Sequence, residues 1–126
     1  MSSNLPPSGP WSGYYLYGLA GPKHRMKLGL SFALDGKISG EGIDDVGRFA
    51  IDGFFDAASN EARWTKQYIG QHSVDYRGLY DQRTICGNWT LGGGAGGFWI
   101  WPDAIGEQDS LQVELELERP RELVLK

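Results

Sequence analysis

The chain of 126 residues holds 12 Lys and Arg against 16 Asp and Glu, a net charge of −4, and is 40% hydrophobic and 13% aromatic. That composition belongs to a single globular domain and excludes a disordered or membrane-embedded chain, while scattered cations on an acidic background exclude a nucleic-acid partner. A lone cysteine, Cys86, excludes an internal disulfide and carries no spacing for a thiolate metal centre, and no cofactor is expected.

The opening Met1-Ser2-Ser3-Asn4-Leu5-Pro6-Pro7 has neither a basic start nor an apolar run, so residues 1–10 read as a flexible arm and a cytoplasmic address is expected. From Trp11 onward, apolar and small residues alternate with polar ones at the period a half-buried strand requires. Strands are predicted over 11–18, 25–34, 37–43, 47–56, 61–68, 72–80, 84–91, 96–102 and 110–118. Asp35-Gly36 is a hairpin signal, and Asp44-Asp45, Ala58-Ser59-Asn60, Ile69-Gly70-Gln71 and Asp81-Gln82-Arg83 all suit short hairpin loops. The tract Leu91 to Gly96 reads as a hairpin loop, because a phosphate-cradling loop would end in Lys-Ser or Lys-Thr and open a helix. Residues 103–126 form a C-terminal loop, strand and tail, with Leu111, Val113, Leu115 and Leu117 alternating with Gln112, Glu114, Glu116 and Glu118. That strand either closes the sheet against the first strand or offers an edge to another chain.

Sequential hairpins without a helical period predict an all-β fold, an antiparallel up-and-down meander β-barrel of about eight strands plus the C-terminal strand, in one domain spanning 1–126. Gly13, Gly40, Gly42, Gly53, Gly78 and Gly87 share the parity of the large apolar residues, where strands bend or let a ring approach the backbone. The competing architecture is a two-sheet sandwich, in which the same glycines relieve crowding between sheets.

Parity places Tyr15, Tyr17, Trp64, Tyr68, Tyr76 and Trp89 on the inner face, and two polar residues, Lys66 and His72, on the same face. A buried amine is expensive unless paired, so Lys66 sits near a mouth or serves a purpose. One reading makes Lys66 and His72 polar anchors in an aromatic pocket walled by the six rings. The other makes the barrel narrow and filled, with Lys66 snorkelling to a rim. His24, beside Pro22-Lys23, reads as a solvent-exposed loop residue, and Asp44-Asp45 as a solvated turn lacking the further oxygens that calcium needs. No inward carboxylate pair supports glycosidase chemistry, and no serine stands in a nucleophile elbow.

Gly9-Pro10-Trp11, at the start of the first strand, resembles the Gly-x-Trp opening of lipocalins and other calycins, and Trp11-Ser12-Gly13-Tyr14-Tyr15 resembles an avidin first strand. The resemblance implies a meander barrel that holds a small molecule, with Trp64, Trp89 and neighbouring tyrosines as the wall. The expected function is therefore non-enzymatic binding of a small amphipathic or aromatic ligand. The alternative is a filled barrel acting as an interaction module, a homo-oligomer included, through its C-terminal strand and an outward-facing Trp99 and Trp101.

Overall fold

The computed structural model describes residues 5–103. The predicted strand at 110–118 lies outside them. Eight antiparallel strands follow one another around a closed barrel: β1 (Gly9–Tyr15), β2 (His24–Phe32), β3 (Lys37–Asp44), β4 (Arg48–Asp56), β5 (Glu61–Tyr68), β6 (Ser73–Tyr80), β7 (Ile85–Leu91) and β8 (Gly94–Pro102). The seam is β1 against β8, with Trp11 opposite Pro102 and Tyr15 opposite Phe98. Both sides of β1 are therefore paired, to β2 and β8, and the sandwich alternative is excluded. No helix among the described residues is long and apolar enough to cross a membrane.

The local chemistry of the hairpins explains the meander. Asp35, Asp44, Asp56 and Asp81 each accept a backbone N–H two residues on, from Lys37, Val46, Ala58 and Arg83 respectively, which nucleates the turn without help from distant residues. The inward glycines do what their parity required. A β-carbon on Gly53 would run into the Arg63 carbonyl and lie 2.5 Å from the Trp64 Cα, and one on Gly78 would lie 2.6 Å from the Cys86 carbonyl oxygen. Side-chain-bearing residues at these positions would push apart strands that must coil tightly to close so small a cylinder.

Alternating residues of all eight strands fill the interior, including the fully buried Trp11, Ile38, Phe49, Phe55, Phe98 and Ile100. One end, where the β2–β3, β4–β5 and β6–β7 hairpins lie, is apolar. There Phe55 meets Phe32 and Tyr80 edge to face at 6.4 and 6.0 Å, Leu5 packs against the core, and the Trp11 indole donates to the Pro7 carbonyl at 2.9 Å. The opposite mouth, framed by the other four hairpins, is built differently and carries the candidate site.

A second buried cluster lies outside the cylinder, on β1, the residue that follows it, and β8. Tyr14, Leu16 and Trp101 are all buried although Tyr14 and Trp101 point away from the barrel interior, and Trp99 is half-buried with its ring 5.6 Å from that of Tyr14. The expectation of outward tryptophans holds in direction, but Trp101 is 4% exposed and offers no free indole surface.

Candidate functional site

Lys66 faces the interior from β5 and is 1% exposed. Two buried charges lose more by desolvation than their attraction returns unless the remaining valences are satisfied. Here they are. Lys66 Nζ donates to Asp44 Oδ2 at 2.7 Å, and Tyr68 Oη donates to the same oxygen at 2.6 Å. The ammonium also lies 4.6 to 5.1 Å from the ring centroids of Tyr15, Phe49, Tyr76 and Tyr68, close enough for each ring to stabilise it. Burial pushes the Lys66 amine below its ordinary range, and the hydrogen bond and charge of Asp44 oppose that shift.

Asp44 corrects the expectation of a solvated turn: its side chain is 0% exposed. β3 runs one residue further than predicted, which keeps Asp44 on the inward parity of Ile38, Gly40 and Gly42. The carboxylate divides its oxygens between two tasks. Oδ1 accepts the Val46 and Gly47 N–H groups of the turn, at 2.9 and 3.3 Å, while Oδ2 turns inward to Lys66 and Tyr68.

The neighbouring Asp45 makes a second cluster at the rim. Tyr15 Oη donates to Asp45 Oδ1 at 2.7 Å, and His24 Nδ1 lies 2.6 Å from Oδ2, so the carboxylate places a histidine proton on Nδ1. His24 opens β2 instead of lying in a loop, and its side chain is 21% exposed because it stacks on Tyr15 at 4.8 Å and 19°. Burial acts to raise the Asp45 carboxyl, but the hydrogen bonds from His24 and Tyr15 outweigh it and hold the group below the ordinary carboxylate range. Burial raises the Tyr15 phenol well above its ordinary value, with the Asp45 hydrogen bond adding to the shift, and raises Tyr68 and Tyr76 in the same direction.

Above these clusters lies a recess of about 60 Å³, bordered by Tyr15, Tyr17, Tyr68, His72, Tyr76 and Trp89 together with Val46, Val74 and Leu91. It has room for a few water molecules or one small head group, not for a whole drug-sized ligand. Six of the eight residues singled out by parity thus share one mouth. Lys66 lies beneath them, and Trp64 lies deeper, stacked on Tyr76 at 5.5 Å and 11°. Among the described residues the Trp64 indole N–H has no hydrogen-bond partner, which costs about 1–3 kcal/mol.

Two placements differ from parity. His72 is exposed at the rim, its ring 5.0 Å from that of Tyr68, because β6 begins one residue later and the wall has ended there. Tyr17 is 60% exposed, because β1 ends at Tyr15 and the chain crosses β8 instead of continuing upward. Leu16 N–H donates to the Gly97 carbonyl at 2.9 Å, and the Leu16 carbonyl accepts the Trp89 indole N–H at 2.8 Å. Gly96 allows this crossing, since a β-carbon there would overlap the Leu16 carbonyl and lie 2.7 Å from Trp89 Nε1. The glycine tract is thus a hairpin whose second half gives way to the segment that fixes Trp89.

Parity could have found Asp44 had the strand been extended by one residue. Asp45 and His24 carry no local sequence signal, because their pairing joins the first residue of β2 to the residue just past β3, which the β2–β3 register, with Met26 opposite Asp44, brings together. Comparison with protein-family models, with curated proteins and with solved structures returns no match to this chain.

Proposed function

We propose that this barrel is a non-enzymatic binding protein of calycin-like design that takes the small aromatic or amphipathic end of a ligand at one mouth instead of engulfing it. The observation that carries this reading is the recess itself: aromatic rings stand around an opening whose floor is already cross-braced by Lys66, Asp44 and Tyr68. A preorganised floor lowers the ordering cost of binding. Lys66 then acts as a support for the walls, not as a direct anchor.

Native mass spectrometry of the purified protein tests it. A noncovalent mass increment that disappears in Tyr17→Ala, with the melting temperature unchanged, is the expected result. An increment that survives this truncation, or a bare protein that takes up no small molecule from a fragment panel, overturns the reading.

A second reading, an interaction module acting through the outer wall, is favoured by one surface. A groove of about 830 Å³ crosses β4 to β7, where Phe54 and Leu79, 50% and 58% exposed, flank Arg63 and Arg77. Loss of a self-associated species in Phe54→Ser, read by analytical ultracentrifugation, supports this alternative; an unchanged sedimentation profile removes it.

A further inference from the structure

The direction of the hydrogen bonds around the recess says which charge it accepts. Four donors at this mouth are already committed: Tyr15 Oη to Asp45, Tyr68 Oη and Lys66 Nζ to Asp44, and Trp89 Nε1 to the Leu16 carbonyl. Among the described residues no Lys or Arg borders the recess, and Lys66 lies beneath the rings, matched by Asp44. An anion entering here meets a buried cation already matched by Asp44, and the further donors on the border are the hydroxyls of Tyr17 and Tyr76 and the His72 ring. The border is otherwise π surface, on Tyr17 and Trp89 above all, and beside it, bonded to Tyr15 and His24, stands the Asp45 carboxylate, 51% exposed.

The charges turned in to this mouth or bonded to its rings are Asp44 and Asp45 against Lys66, an excess of one negative charge that His24 cancels only when protonated, while Lys23 and Arg25 lie over the outward Tyr14 ring and Arg48 is exposed at the same end. Three other rings of the border, Tyr15, Tyr68 and Tyr76, already hold one ammonium, that of Lys66, from below. We propose that the recess takes a second one from above: a small organic cation, an ammonium or methylated ammonium head, seated against Tyr17 and Trp89 with Asp45 as counter-charge. The volume of about 60 Å³ suits one such head. This deepens the reading of the recess as a ligand site and rests on it.

The test is a set of NMR titrations of the isotope-labelled full chain at about pH 8, above the ordinary histidine range. The probes are choline, its uncharged carbon isostere dimethylbutanol, and propionate; the readouts are the indole N–H signals of Trp89 and, as internal control, Trp11. Choline is expected to shift Trp89 saturably and leave Trp11 unmoved, with the isostere weaker by about tenfold. Asp45→Asn should weaken choline several-fold and leave the isostere unchanged. Equal affinities for choline and the isostere overturn the charge preference while sparing the recess, and tighter binding of propionate reverses its sign. No movement at Trp89 with any probe sinks the recess reading as well. A peptide bearing one trimethyl-lysine separates the two sources of such a head: binding tenfold tighter than choline assigns a protein side chain, and equal binding assigns a free small cation.

Discussion

At one end of the barrel Phe32, Phe55 and Tyr80 meet edge to face and Trp11 ties the entering chain to the wall. At the other, a buried ammonium, two carboxylates, two phenols and an imidazole form two linked clusters. Both ends exclude water from the same core, but by different physics. The apolar end depends on area removed from water, which is non-directional and tolerant of shape-conserving substitution. The polar end depends on partners being present together, because a buried member left alone, Lys66 or Asp44 above all, is an unsatisfied group.

The sharpest test of that contrast is removal of one polar partner. Asp44→Ala leaves the Lys66 ammonium buried without its counter-charge and should cost about 3–5 kcal/mol in urea unfolding. The double variant Asp44→Asn with Lys66→Met should recover a large part of that loss; purely additive losses would mean that the two side chains do not act as a pair. At the apolar end Phe55→Ala should cost a comparable ~3–5 kcal/mol through the cavity it opens. That loss should not depend on pH, and a pH-dependent one would show that the two ends are coupled.

Much of this contrast was legible beforehand, but unevenly. The apolar end follows from parity alone, since Phe32, Ile38 and Phe55 alternate with polar residues on uninterrupted strands. The inward glycines announced the tight curvature, and the aspartates announced the hairpins. The polar mouth was legible only in its ingredients. Lys66 stood out as an amine on an apolar face, yet its partner was hidden because Asp44 is also a good turn residue, and one side chain does both jobs. Parity failed where Tyr14, Tyr15 and Leu16 are buried in succession. There the chain leaves the cylinder wall to cross β8, a tertiary choice that no local pattern records.

Smaller effects sharpen the comparison further. Tyr15, Tyr68 and Tyr76 resist ionisation in the folded barrel. Above about pH 10 the unfolded chain releases phenolic protons that the folded one retains, so stability should fall as pH rises from there. Tyrosinate absorbance should therefore appear together with unfolding, and a simple titration of all six tyrosines at the ordinary value would contradict the burial described. Trp11→Phe, which removes the bond to Pro7 and part of a fully buried ring, should cost about 1–3 kcal/mol, read as a shift in the urea midpoint. The smallest effect belongs to the half-exposed Asp45. Its carboxyl is held low in the folded state, so the stability it adds is present above the ordinary carboxylate range and is lost as pH falls through the depressed value. Asp45→Asn should flatten the acid limb of a pH–stability curve by less than about 1 kcal/mol.

The seam between β1 and β8 has a consequence for how fast the barrel forms. Seven of the eight strand pairings join neighbours along the chain through short hairpins, and the eighth joins the first described strand to the last. The hairpins can assemble on a microsecond scale, but the seam has to bring together segments from opposite ends of the described chain before any contact rewards the ordering. Gly13 sits in that seam, where a β-carbon would lie 2.6 Å from the Ile100 side chain. A methyl group at this position therefore obstructs the one step that is not local. Gly13→Ala should slow refolding more than an alanine at any hairpin glycine of comparable stability cost, which makes this glycine a determinant of rate as well as of shape.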